Sequence, residues 1–303
     1  MLSQGVPFFG KEVAGDCPPR SACAAARAAA PSSSSLPRAR TDRFDAARAL
    51  RLVDLQLAFG QRPAGSRALR RTAERLKREL PRGRFENVPG HPGLRNIVGV
   101  LPGRRPALVI GAHYDTESHP EGFVGANDSA AGSAAVIEIA RAMGRTRRPA
   151  GARELRFVLF DGEEEPREED NDDFFANALR GSKAYVKAHA ERTHALVLLD
   201  YIANKGLELP REGSSDPGLW RQLRAAAGRV GVGRVFPDTE QTAIFDDHTP
   251  FLNAGIPAID LIDFSYEHAD SLEDTRDKLD PRAIDAVGES VVELLRARDR
   301  ARR

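Results

Sequence analysis

The chain has 303 residues, 41% hydrophobic and 29% charged, with 45 basic and 44 acidic side chains for a formal net charge of +1. That balance suits a globular protein and gives no support to a nucleic-acid or acidic-membrane partner. No apolar run approaches the roughly 20 residues that span a bilayer, and the only cysteines, Cys17 and Cys23, lie near the N-terminus, so a metal in the rest of the chain must use His, Asp and Glu.

Residues 1–40, with runs of Ala and Ser, several Arg and little to bury, read as a disordered, low-complexity extension. No continuous apolar core follows a basic start, as a secretory signal requires. The compartment stays open, a soluble cytoplasmic protein being favoured over a secreted one. From residue 41 to 303 the pattern is that of a single domain. "FDAARALRLVDLQLAFG" and "GSRALRRTAERLKREL" have helical spacing, the second with Leu69, Ala73, Leu76 and Leu80 on one face. "NIVGVLPG" and "ALVIGAHYD" read as strands, and "SAAGSAAVIEIARAM" as a helix before the strand "LRFVLF". A helix from about Gly181 leads to the strand "ALVLLD". The helix in "SSDPGLWRQLRAAAGRVG" has Ser215 or Asp216 as cap, the strand "AIDLID" comes next, and "PRAIDAVGESVVELLRAR" closes the chain as a helix. Apolar strands alternating with helices predict an α/β fold, a largely parallel sheet covered on both faces.

In such folds ligands sit beyond the carboxyl ends of the strands. His113 and Asp115, then Asp161, Glu163 and Glu164, then Asp200, then His268 and Asp270 each come after a strand, and Asp128 lies where a loop enters a helix. Carboxylates packed together repel unless a cation is present. A zinc ion with an open coordination position would lower the pKa of its water, and a carboxylate that is not a ligand could take the proton. Glu163 and Glu164 are neighbours that point to opposite sides of an extended chain, so one can face the metal and the other the water. The later acids of "EEEPREEDNDD" read as solvated loop.

"LAFGQRPAGS", "GAHYDT", "GANDSAAG", "FDGEE", "LLD", "DDHTPFLNAGIPAIDL" and "EDTRDKLDP" occur in the order found in the M28 zinc peptidases, and the sequence also resembles the glutaminyl cyclases that share their fold. The resemblance, over roughly residues 45–300, implies the phosphorylase/hydrolase-like fold of zinc aminopeptidases with one or two Zn2+ ions. It implies His113, Asp128, Glu164, Asp200 and Asp270 as ligands, Glu163 as general base, and Asp115, Asp247 and His248 behind them. At the last ligand the family usually has His; counting back from Asp274 reaches Asp270, which is preferred to His268. Asp246 matches a carboxylate of the cyclase proton network. The cyclases line their pocket with Trp, however, and the matching positions here are Glu169 and Ala269. The expectation is therefore an aminopeptidase acting on peptides with a free N-terminus, with a glutaminyl-peptide cyclotransferase as the alternative and a metal-free binding domain less favoured. Oligomeric state is not legible.

Overall fold

The computed structural model describes residues 35–166 and 174–300. The extension expected over residues 1–40 falls outside these up to residue 34. Residues 35–40 run along the domain, with Leu36 and Ala39 against the core and the Arg40 N–H donating to the Val230 carbonyl (2.8 Å).

Helices α1 (Ala46–Leu57) and α2 (Arg67–Glu79) come first. Each starts where a side chain accepts a free N–H of the first turn, Asp45 from Arg48 and Ser66 from Leu69. A hairpin of β1 (Arg84–Asn87) and β2 (Arg95–Leu101) leads into β3 (Arg104–His113), α3 (Gly132–Gly144) and β4 (Arg153–Phe160). Then come the single turn α4 (Phe174–Asn177), α5 (Arg180–His189), β5 (Thr193–Leu199), the two-residue β6 (Arg211–Glu212) and α6 (Pro217–Val230). Asp216 caps α6, accepting from the Leu219 N–H, and Gly231 ends it in the left-handed conformation. The two-residue β7 (Glu240–Gln241), short α7 (Thr249–Asn253), β8 (Ala258–Leu261) and long α8 (Pro281–Arg300) complete the chain. No helix among the described residues is long and apolar enough to cross a membrane.

The central sheet has the order β1-β2-β4-β3-β5-β8. Strands β4, β3, β5 and β8 are parallel, while β1 and β2 extend the β4 edge in antiparallel fashion. The apolar runs work because both faces are covered and strand residues alternate between them. Ile110, Phe157 and Val197 point into one core, which also takes α1, α2, α3, α6 and α8; Val109, Val158 and Leu198 point into another with Tyr185 of α5 and Phe251 of α7. The carboxyl ends of β3, β4, β5 and β8 thus open on one edge.

Candidate active site and metal centre

β3 ends on His113, whose imidazole is 3% exposed. Its Nε2 lies 2.9 Å from Asp128 Oδ1 and 3.4 Å from Asp200 Oδ1, and its Nδ1 lies 3.7 Å from Asp115 Oδ1 and 3.8 Å from Glu163 Oε2. Burial alone would lower the His113 pKa, but the carboxylates of Asp115, Asp128 and Asp200 reverse this and hold it well above the ordinary value. That proton is one a divalent cation would displace.

The turn carrying Glu163 and Glu164 hangs on Asp115, which is fully buried. Its two carboxylate oxygens each accept one backbone N–H at 3.3 Å, Oδ1 from Glu163 and Oδ2 from Glu164. Burial first, then Glu117, Asp128 and Glu163, push Glu164 well above the usual carboxylate range, and neither of its buried side-chain oxygens has a hydrogen-bond partner.

Asp128 sits in a tight turn ahead of α3. Gly125 begins it at φ +55, where an added Cβ would meet the Asp128 carbonyl oxygen at 1.7 Å, so only glycine serves there. Asp274 accepts the N–H groups of Asn127 and Asp128, both at 3.0 Å. The fully buried Arg62 donates to the carbonyls of Gly60 (2.8 Å), Val124 (2.9 Å) and Gly125 (3.4 Å). Burial lowers its pKa to about 10, against the raising influence of Asp128, Asp274 and Asp115.

Donor atoms of His113, Asp128 and Glu164 all lie within 4.8 Å of one another. One imidazole and two carboxylates, with the Glu164 oxygens otherwise unsatisfied, fit a zinc ion. Asp200, brought to about pKa 7 by burial and then by Asp246 and Asp128 against the lowering effect of His113, approaches the same imidazole nitrogen as Asp128. Asp270 is reached through Tyr201, whose hydroxyl lies 2.8 Å from Asp128 Oδ2 and 3.1 Å from Asp270 Oδ1. His268 turns elsewhere, its Nδ1 3.1 Å from Glu273 and its Nε2 3.4 Å from Glu267.

Asp246, His248 and Asp260 form a second compact group. Burial, then Asp246, Asp200 and Glu212, raise Asp260 well above the carboxylate range. Asp247 is likewise raised by burial and by Asp246, against lowering influences from Ser182 and His113. His248 has other partners: its Nε2 lies 2.8 Å from Ser214 Oγ and 3.2 Å from Glu212 Oε2, its Nδ1 3.7 Å from Asp260.

Sequence reading missed Arg62, Tyr201, Glu212 and Asp260, and used Asp274 only for counting. Of these only Asp260 carried a signal, a lone acid inside the apolar run "AIDLI". Asp161 braces the frame, accepting from the Arg95 N–H (2.7 Å) and the Tyr114 hydroxyl (2.9 Å). Trp220 is buried edge-on against Phe236, a core position. Glu169 lies outside the described residues, and Ala269 packs on the cluster of Tyr201, Ile262 and Tyr266.

Among proteins of known sequence, the chain is similar to the glutaminyl-peptide cyclotransferases of Bothrops jararaca, 27% identical over 232 residues, and Bos taurus, 27% over 234. The first match covers 65% of this chain and 63% of the relative, the second 65% and 64%. The chain therefore spans less than two thirds of the length of these relatives. Among solved structures, the glutaminyl cyclase of Porphyromonas gingivalis superposes with a TM-score of 0.74 at 28% identity, over 85% of this chain and 99% of that one. A leucine aminopeptidase precursor from Bacteroides thetaiotaomicron shares the fold, with a TM-score of 0.75 at 23% identity over 85% of this chain and 98% of that one. The model of Peptidase family M28 matches residues 96–295, which hold most of the site just described, from His113 on β3 to Asp274 beside Asp128; the chain belongs to that family.

Proposed function

We propose that the chain is a zinc-dependent enzyme acting at peptide N-termini and, within that class, a glutaminyl-peptide cyclotransferase, closing an N-terminal glutamine into a five-membered lactam with release of ammonia. The observation that carries this reading is the compact three-donor group of His113, Asp128 and Glu164, flanked by Asp200, Asp246 and Asp260 as buried acids. Cyclisation consumes no water. The α-amine nitrogen bonds to the side-chain carboxamide carbon, the carbon–nitrogen bond to the departing amide breaks, and one proton passes from the first nitrogen to the second.

Glu163, buried and suspended from Asp115, is suited to take that proton from the amine and return it to the leaving nitrogen. Asp246, 1% exposed and acting on both Asp200 and Asp260, is suited to steady the charge as it moves. A zinc ion, when bound, supplies Lewis-acid polarisation of the substrate carbonyl. Cyclases use tryptophan at positions that match Glu169 and Ala269; here Phe245, 42% exposed and 5.5 Å from the ring of Phe175, offers an apolar surface next to Asp246 in the chain. The similarity to proteins named as cyclases lends further support and reverses the order expected from sequence.

Hydrolysis of the first peptide bond is the second reading. It is favoured by Asp200, whose Oδ1 lies 3.4 Å from His113 Nε2, an additional carboxylate beside Asp128 for a pair of ions that share Asp128. Mass spectrometry of peptides incubated with zinc-supplemented protein separates the two. Loss of ammonia from peptides beginning with Gln supports cyclisation; loss of whole residues from peptides beginning with Leu, Ala, Lys or Arg replaces it with aminopeptidase action.

A further inference from the structure

The buried face of α2 is Leu69, Thr72, Ala73 and Leu76, and its outer face carries Arg67, Arg70, Arg71 and Arg75 at three- and four-residue spacing. With Arg95 and Phe59 they line a groove of about 490 Å3, which continues past Arg70 and Arg95 into a second of about 380 Å3 under the β1–β2 turn. The one carboxylate in the first groove, Glu74, is shared between Arg95 (3.8 Å) and Lys77 (3.1 Å). Among the described residues Arg67, Arg70, Arg71 and Arg75 enter no ion pair. Arg71 lies over the ring of Phe59 and Arg95 over that of Phe85, 5.4 and 3.8 Å from the ring centres. A chain of net charge +1 that gathers five guanidinium groups around one groove builds a local positive field that only an anion relieves.

The groove lies at the same sheet edge as the candidate active site. β2 runs antiparallel to β4 with Ile97 opposite Leu159, so Arg95 stands at the carboxyl end of β4, its N–H bound to Asp161. Leu94, in the second groove, packs on Gly162 so closely that a Cβ there would meet it at 2.6 Å. His91, in the same groove, feels the charges of Arg180 and Lys183, and Arg180 donates to the Glu164 carbonyl at 2.7 Å. The positive track thus runs from α2 to the turn that carries Glu163 and Glu164.

We propose that this track binds the acidic side chains of a peptide whose N-terminus enters the active site, making the protein selective for substrates with Asp or Glu downstream of the first residue. Guanidinium groups match carboxylates in paired hydrogen bonds, and an extended peptide can offer several in succession. The inference rests on the reading of the chain as an enzyme of peptide N-termini.

The test is fluorescence anisotropy with the full, zinc-loaded chain and an N-acetylated, dye-labelled oligoglutamate peptide, compared with an oligoalanine peptide of equal length. Acetylation blocks reaction, so binding is read alone. The glutamate peptide should bind about tenfold tighter or better, lose that advantage in about 0.5 M salt, and lose it in Arg70→Glu/Arg71→Glu but not in Arg70→Lys/Arg71→Lys. Thermal melting checks that the variants fold, and Arg67→Gln/Arg75→Gln replaces the reversal pair if that pair does not. Equal binding of both peptides, indifference to the charge reversal, or tighter binding of a single-stranded oligonucleotide than of the glutamate peptide would overturn the proposal. Should the acidic peptide bind while unblocked Gln- and Leu-initiated versions stay unchanged, the groove stands and the enzymatic reading falls.

Discussion

Tyr201 and Asp270 face each other with their backbones both in the left-handed region, at φ +43 and +52, and the tyrosine hydroxyl lies 3.1 Å from the carboxylate. Neither is glycine, so each conformation costs of order 1 kcal/mol and persists because the surroundings fix it. The same hydroxyl lies 2.8 Å from Asp128, so Tyr201 ties the candidate last ligand to the central one. Tyr201→Phe and Asp270→Ala should each weaken zinc binding by about tenfold or more, measured by competition with a chromophoric chelator. His268→Ala should leave it unchanged, because that imidazole is engaged with Glu267 and Glu273. The opposite ranking would exchange the roles of the two residues.

Glu163 and Glu164 hang from one carboxylate, yet only the second belongs to the compact donor group. Glu163→Gln keeps the shape and removes the proton acceptor. Turnover should fall by about a hundredfold or more, with zinc content, read by atomic absorption, unchanged. Glu164→Gln should lose zinc as well as turnover. Equal metal loss in both would undo the division of labour.

What could be read from sequence was what repeats. β3, β4, β5 and β8 declared themselves as apolar runs because both faces of each are buried, and the His and carboxylate side chains of the site stand directly after those runs. β1, with the sequence "RFEN", lies at the sheet edge and has no such pattern. Arg62 was invisible for another reason: its guanidinium donates to backbone carbonyls, which no side-chain pattern encodes. The resemblance implies His248 behind the metal ligands, but not its partners: its imidazole lies between Glu212, 3.2 Å away, and Asp260, 3.7 Å away, neither of which had a role assigned from sequence.

Arg62→Met would remove the donor that holds the carbonyls of Val124 and Gly125, and with it a fully buried cation facing Asp115, Asp128 and Asp274. Losing a buried charge amid acids, with carbonyls left unpaired, should destabilise the zinc-free protein by about 3 kcal/mol. Zinc, supplying positive charge to the same acids, should reduce the deficit. Urea unfolding with and without zinc measures both; a deficit unaffected by zinc would make Arg62 a clamp on the turn and nothing more.

Glu212 makes the pH dependence of stability specific. Burial would raise its pKa, but His248, then the Ser214 N–H and the Ser215 hydroxyl, bring it from 4.5 down to about 2. A carboxyl depressed in the folded state binds fewer protons there than in the unfolded chain. Its contribution is therefore complete above pH 4.5 and disappears as the pH falls through about 2. The shift corresponds to about 3 kcal/mol. Glu212→Gln should accordingly be less stable than the parent chain by about that amount at pH 7, and the two unfolding free energies should converge as the pH approaches 2. Curves that stay parallel from pH 7 to pH 2 would show that the Glu212–His248 contact stabilises the fold through packing rather than charge.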